Sequence, residues 1–105
     1  MSSAQFDKAV SIIGSMPKDG PVQPSQSDQL TFYGLFKQVS NGDVNTSRPG
    51  MMDFTGKAKW DAWKSREGLS ADEAKKEYVD HLLALLDKHS DNEDAKKWAD
   101  EIRAA

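Results

Sequence analysis

Tyr33 and Lys37 stand four residues apart in a segment of helical periodicity, so a phenol and an ammonium group share one face. Lys59 belongs to a second helical pattern, which follows a long loop and opens with two lysines, Lys57 and Lys59. The first turn of a helix presents unpaired amides and the positive end of the dipole, and both favour an anion. A hydroxyl and two ammonium groups converging there would make a phosphate site. By spacing alone the same residues also fit an amphipathic edge with a solvated rim. On spacing alone the amphipathic edge is the favoured reading.

No other constellation has the form of a reaction centre. His81 and His89 are eight residues apart and lack the spacing of a metal site, so they read as solvated or edge-packed histidines. Asp72, Glu73, Glu77 and Asp80 read as acids complementing a helix start and then a wet face. No Ser–His–acid order, cysteine nucleophile or glycine-rich phosphate loop stands out. The expectation is a binding protein rather than an enzyme, with no metal and no cofactor.

A chain of 105 residues corresponds to one domain with a modest core. It contains no cysteine, so packing alone must hold it together. The most apolar stretch, Leu82 to Leu86, is far too short to span a bilayer, and stable membrane insertion is not expected. Met1-Ser2-Ser3-Ala4-Gln5 lacks the order of a secretory signal, which points to a soluble cytoplasmic protein. The net charge of −3 argues against nucleic acid as a partner. Its distribution says more. Residues 37–66 carry +3, leaving −6 on the rest of the chain. A basic patch on an acidic body suits a compact anion better than an extended polyanion.

The elements that must position these groups all read as helices. Phe6, Ala9, Val10 and Ile13 form one apolar stripe, with Ser2 and Gln5 as a capping box. Met16-Pro17 and Asp19-Gly20-Pro21 end that helix in a proline-stiffened connection. A second helix is predicted from Ser25 to Ser40, with Leu30, Tyr33, Leu35, Phe36 and Val39 as its apolar content, stopped by Asn41-Gly42. A third runs from near Thr55 to before Gly68, and Trp63 within it is expected in the core. Ser70 and Glu73 form a capping box for a fourth, with Ala74, Tyr78, Leu82, Leu85 and Leu86 as its stripe. Asp91 can cap a short fifth helix carrying Ala95, Trp98, Ala99 and Ile102. The loop from Asp43 to Thr55 is long for so small a domain, and Met51, Met52 and Phe54 are expected to pack it down.

The run Gly42-Asp43-Val44-Asn45-Thr46-Ser47-Arg48-Pro49-Gly50-Met51-Met52-Asp53-Phe54-Thr55-Gly56-Lys57-Ala58-Lys59-Trp60-Asp61-Ala62-Trp63, preceded by Tyr33-Gly34-Leu35-Phe36-Lys37-Gln38, strongly resembles the acyl-CoA-binding protein family. The likeness extends from Phe6 to about Lys88. It implies an all-α fold, a skewed four-helix up-down-down-up bundle over residues 1–90, with residues 91–105 as a short extra helix. It also implies a function: a monomeric cytoplasmic carrier that binds, buffers and transports medium- to long-chain acyl-CoA, one ligand per protein, and serves acyl-CoA-using enzymes.

By the resemblance, the positions of Tyr33, Lys37 and Lys59 grip the 3′-phosphate of the CoA ribose, and those of Phe36 and Gln38 lie beside the adenine and the nucleotide half. Trp60 borders the ligand and Tyr78 packs near it. Phe6, Val10, Gln29 and Leu30 match positions lining the acyl chain or the groove entrance. The chain departs from the family in three places. Phe36 stands where a tyrosine is frequent, keeping the stacking face without the hydroxyl. Gly14 occupies the place of a basic residue near the pyrophosphate, with Lys18 as a substitute from the loop, and the connection from Pro17 to Ser25 is longer. These departures, with the stripe of Trp98 and Ile102, exposed unless it packs or finds a partner, motivate an alternative: an interaction module with a weakened groove and a docking tail helix. The favoured reading has the tail covering the bundle.

Overall fold

The structure, a computed structural model, describes residues 3–17 and 19–105. Five helices follow one another: α1 (Ser3–Ser15), α2 (Gln26–Asn41), α3 (Phe54–Lys64), α4 (Ala71–Asp87) and α5 (Glu93–Ala104). There is no strand among the described residues. Contacts divide the chain into two units, Met1–Pro24 with Lys76–Ala105, and Ser25–Lys75.

In the first unit, α1 buries Phe6, Ala9 and Ile12, while Val10 and Ile13 are half-buried. The predicted stripe is therefore rotated toward Ile12, which continues the three-residue step from Phe6 and Ala9. Ser2, half of the expected capping box, lies outside the described residues, as does Lys18. After α1 the Gly20 amide donates to the Pro17 carbonyl (3.3 Å) and the Gln23 side chain to the Gly20 carbonyl (2.7 Å), while Val22 is buried.

The α4 stripe is as predicted, with Ala74, Tyr78, Leu82, Leu85 and Leu86 buried and Val79 beside them. The Phe6 ring meets Tyr78 edge to face at 5.1 Å. That burial pushes the Tyr78 phenol up to about 12. In α5, Ala95, Ala99 and Ile102 are buried, and Trp98 is half-buried. The helix packs on α1, with Lys8 to Glu101 at 3.4 Å, and Arg103 reaches Asp87 at 3.0 Å. The cap is Asn92 rather than the expected Asp91, its side chain accepting from the Ala95 amide at 3.0 Å. Residues 91–105 thus contribute to the core of the first unit.

In the second unit, Ser25 caps α2 and Asp28 returns a bond to the Ser25 amide, both at 3.0 Å, a reciprocal box. Gly42 stops the helix with φ of 75°, its amide donating to the Gln38 carbonyl. Helices α2 and α3 pack directly on each other. Gly34 lets them approach, since a Cβ there would collide with the Ala62 carbonyl. The capping box predicted at Ser70 and Glu73 is present, with bonds of 3.1 and 3.2 Å.

The long loop is held otherwise than its apolar content suggests. Met51, Met52 and Phe54 are 81, 85 and 71% exposed, so they do not pack it down. Polar contacts fix it instead. The Trp63 indole donates to the Gly42 carbonyl (2.8 Å) and the Trp60 indole to the Thr46 carbonyl (2.9 Å). Arg48 makes a two-pronged contact with Asp61, both bonds 2.9 Å. Asp43 accepts from the Gly68 amide and the Gln38 side chain, each at 2.8 Å, and these bonds hold its carboxyl below the ordinary range.

Candidate functional site

Two adjoining pockets open between α2, α3 and the loop, all within the second unit. One, of about 260 Å³, is lined by Gln26, Gln29, Leu30 and Tyr33 of α2 and by Phe54, Thr55, Ala58 and Lys59 of α3. The other, of about 320 Å³, is lined by Tyr33, Lys37, Thr46, Ser47, Pro49, Gly56, Lys59, Trp60 and Trp63. Helical spacing explains the sharing. Gln26, Leu30, Tyr33 and Lys37 follow one face of α2, and Thr55, Lys59 and Trp63 one face of α3. Tyr33 and Lys59 border both pockets.

Charge at the site comes from side chains. The Lys37 ammonium lies 4.9 Å from the Trp63 ring centre, and that of Lys59 lies 5.3 Å from the Tyr33 ring centre. Among the described residues neither has an ion-pair partner, whereas Arg48 is matched to Asp61 and Lys64 to Glu67. Both pocket lysines thus keep their charge available while their ammonium groups lie over aromatic faces. The expected contribution from the start of α3 is smaller than the sequence suggests. Asp53 caps the helix and takes the Gly56 amide at 2.8 Å, so an acid already occupies that end. Gly56 itself has no room for a Cβ against that carboxylate.

Six of the predicted site residues meet at these pockets: Tyr33, Lys37, Lys59, Trp60, Leu30 and Gln29. Phe36 lines neither pocket and is 42% exposed on α2. Gln38 is 2% exposed, its amide donating to Asp43 (2.8 Å) and to the Leu69 carbonyl (3.0 Å). It ties the chain together instead of facing the pockets. Phe6, Val10 and Tyr78 belong to the first unit. Gly14 is exposed with open space around it.

Sequence reasoning passed over Thr46, Ser47 and Pro49 of the loop and Phe54, Thr55 and Ala58 of α3. Trp63, expected in the core, is buried and also lines the wall under Lys37. Two hydroxyl residues in a Gly- and Asn-rich loop, directly before a helix, were the available signal for Thr46 and Ser47.

Aromatic faces carrying free ammonium groups, set beside a partly apolar pocket, define an all-α binding domain for an anionic, amphipathic ligand. Among the described residues no cluster of His, Asp or Glu could hold a metal ion. The chain belongs to the acyl-CoA-binding protein family, whose pattern it matches over residues 3–82. It is 49% identical over 98 residues to the acyl-CoA-binding protein homolog 3 of Caenorhabditis elegans, which covers 93% of this chain and 84% of that protein. It is 42% identical to the acyl-CoA-binding domain-containing protein 5 of Xenopus tropicalis over 83% of this chain but only 19% of that longer protein. Its fold superposes on the crystal structure of the acyl-CoA-binding protein from Moniliophthora perniciosa with a TM-score of 0.94 and 61% identity, covering 100% of this chain and 98% of that one. That likeness includes the fifth helix and fits the four-helix fold with a C-terminal extension. The family is one of binding proteins, not enzymes.

Proposed function

We propose that the chain binds acyl-CoA thioesters one to one and so buffers and carries them for the enzymes that use them. The nucleotide phosphates sit at the mouth formed by Tyr33, Lys37, Lys59 and Trp60, with the 3′-phosphate between the two ammonium groups and the tyrosine hydroxyl. Thr46 and Ser47 offer further donors on the loop side. The thioester end enters the pocket of Leu30, Phe54 and Ala58, with Gln29 at its rim. The Phe36 ring, 42% exposed and one turn from Tyr33, offers a face on which the adenine stacks. Gln38 has no part in this reading.

One observation carries it. Two lysines from different helices point at one pocket wall, each over an aromatic ring and neither in an ion pair. The partly apolar pocket beside them, with Leu30, Phe54 and Ala58 in its wall, takes the ligand's second end. Burying about ten methylenes contributes up to ~8 kcal/mol before ordering costs, so the chain supplies most of the affinity. The phosphate contacts supply discrimination, since a free fatty acid leaves both lysines without an anion placed to meet them. The alternative of a docking tail has no support in α5, whose apolar residues Ala95, Ala99 and Ile102 are already buried.

Calorimetric titration with palmitoyl-CoA, CoA and palmitate tests the proposal. Tight one-to-one binding of the thioester with weak binding of either half is expected. Comparable affinity for palmitate alone would overturn it.

A further inference from the structure

The turn at the tip of the long loop carries two large apolar side chains. The Asp53 amide donates to the Gly50 carbonyl at 3.1 Å, which makes Gly50-Met51-Met52-Asp53 a hydrogen-bonded turn with both methionines at its corners. Gly, Pro, Asn, Asp and Ser dominate such corners for backbone reasons, and both methionines take negative φ here, so the turn accepts apolar side chains without requiring them. Here they are the most exposed large apolar side chains described, at 81 and 85%, and Phe54 follows directly. The loop is firmly tied by Trp60, Trp63 and the Arg48–Asp61 pair, so this exposure is a built feature. Such apolar display marks a place where function overrides stability.

We propose that Met51 and Met52 form a prong that docks the protein on anionic lipid bilayers. The apolar display is confined to one four-residue turn and the Phe54 that follows it. A protein partner would bury little against it, far from the roughly 800 Å² per side of a stable interface. A bilayer takes up a small exposed apolar turn without needing a matching surface. Charge around the turn supports that occupant. Lys57 donates to the Met51 carbonyl at 2.9 Å and hangs 5.1 Å from the Phe54 ring centre, which holds an ammonium at headgroup level behind the methionines. The two nearby acids are engaged inward, Asp53 on the Gly56 amide and Asp61 on Arg48. The turn also lies within the basic stretch of the chain, residues 37–66 at +3, which favours an anionic surface over a neutral one. No helix of the described residues is long and apolar enough to cross a membrane, so the contact is peripheral. Phe54 links the prong to the apolar pocket, so a docked molecule presents that pocket to the headgroup–acyl boundary. Docking stands without the acyl-CoA reading; only its use in loading and unloading ligand rests on it.

Flotation with ligand-free vesicles of phosphatidylcholine, with and without phosphatidylserine, tests the docking. The full chain is expected to float with the phosphatidylserine vesicles. The double variant Met51→Ser/Met52→Ser should lose partitioning by at least about tenfold. Met51→Leu/Met52→Leu should retain it. Neither methionine lines a pocket, so dodecanoyl-CoA affinity, measured by calorimetry without vesicles, should be unchanged in both, which separates this test from that of the ligand site. A full chain that stays below the anionic vesicles, or a serine variant that floats equally well, overturns the proposal. Loss of floating on Lys57→Gln with none on the serine variant also overturns it, since that is surface attraction without insertion.

Discussion

Replacing Lys59 by alanine removes one of the two ammonium groups at the pocket mouth, and its cost can be worked from the geometry. A lysine–phosphate contact near 4 Å is worth about 1 kcal/mol in water and about 4 kcal/mol at the effective dielectric of a protein surface. Lys59 is exposed in the free protein, which places it toward the lower end of that range. A loss of about 1.5–2 kcal/mol is expected, or roughly 10–30-fold in Kd. The cost to the fold is smaller. The ammonium rests on Tyr33, and an exposed cation–π contact contributes ~0.5–1 kcal/mol, a few degrees in Tm for a chain of this size.

Affinity alone would not locate the lost contact, so the assay is a cycle. Wild type and Lys59→Ala are titrated calorimetrically with dodecanoyl-CoA and with its 3′-dephospho analogue. If Lys59 meets the 3′-phosphate, the substitution weakens the intact ligand as above and changes the dephospho analogue by less than about threefold. Added salt should weaken wild type more steeply than the variant. Equal losses for both ligands would refute the assignment of the phosphate to Lys59. An unchanged Kd for dodecanoyl-CoA would remove Lys59 from the site altogether.

Three further outcomes follow from the packing. Gly34→Ala drives a methyl into the Ala62 carbonyl and should cost about 1–3 kcal/mol in urea unfolding, with a loss of ligand affinity as α2 and α3 separate. Ile102→Ala should cost about 2–4 kcal/mol, because the residue is fully buried; a docking tail projecting into solvent would show almost no loss. The stability curve should fall at both ends of the pH scale. Asp43 and Asp61 have lowered native values, so the unfolded chain takes up protons first; their stabilisation is present above about pH 4 and lost as pH falls through the native values. Tyr78 is raised, so its contribution is complete below about pH 10 and lost as pH rises toward 12. Thermal midpoints across pH check both arms, and Tyr78→Phe should flatten the alkaline one.

How much of this was legible in the chain depends on which force fixes each element. The α4 stripe could be read because repeated burial of Ala74, Tyr78, Leu82, Leu85 and Leu86 imposes helical period on residue type. The Ser70–Glu73 box was legible for a similar reason, since a local bond needs only fixed spacing. Neighbouring alternatives were not separable. Asn92 displaced Asp91 as a cap because either side chain can accept from an amide three residues on, and only the final phase of α5 chooses. Ile12 and Ile13 are likewise equivalent until α1 meets its neighbours. Long-range polar contacts leave no local trace at all. Nothing around Gln38 announces that its amide will reach the Leu69 carbonyl, thirty-one residues away, so its burial could not be foreseen.

The loop joins these lessons, because its sequence misleads in a consistent direction. Three large apolar side chains in a long connection read as an anchor, since burying each is worth ~1.5–3 kcal/mol. The anchoring is done instead by two indole N–H groups, a guanidinium and the Asp43 carboxylate. Tryptophan suggests hydrophobic area from sequence, yet here its indole donor decides where the backbone runs. That substitution has a consequence for function. A loop tied by polar contacts at Gly42, Thr46 and Asp61 does not need its methionines for stability. They are released for contact with something outside the protein. The same two tryptophans that hold the loop also wall the pocket beneath Lys37, so the ligand site and the exposed turn share one set of supports.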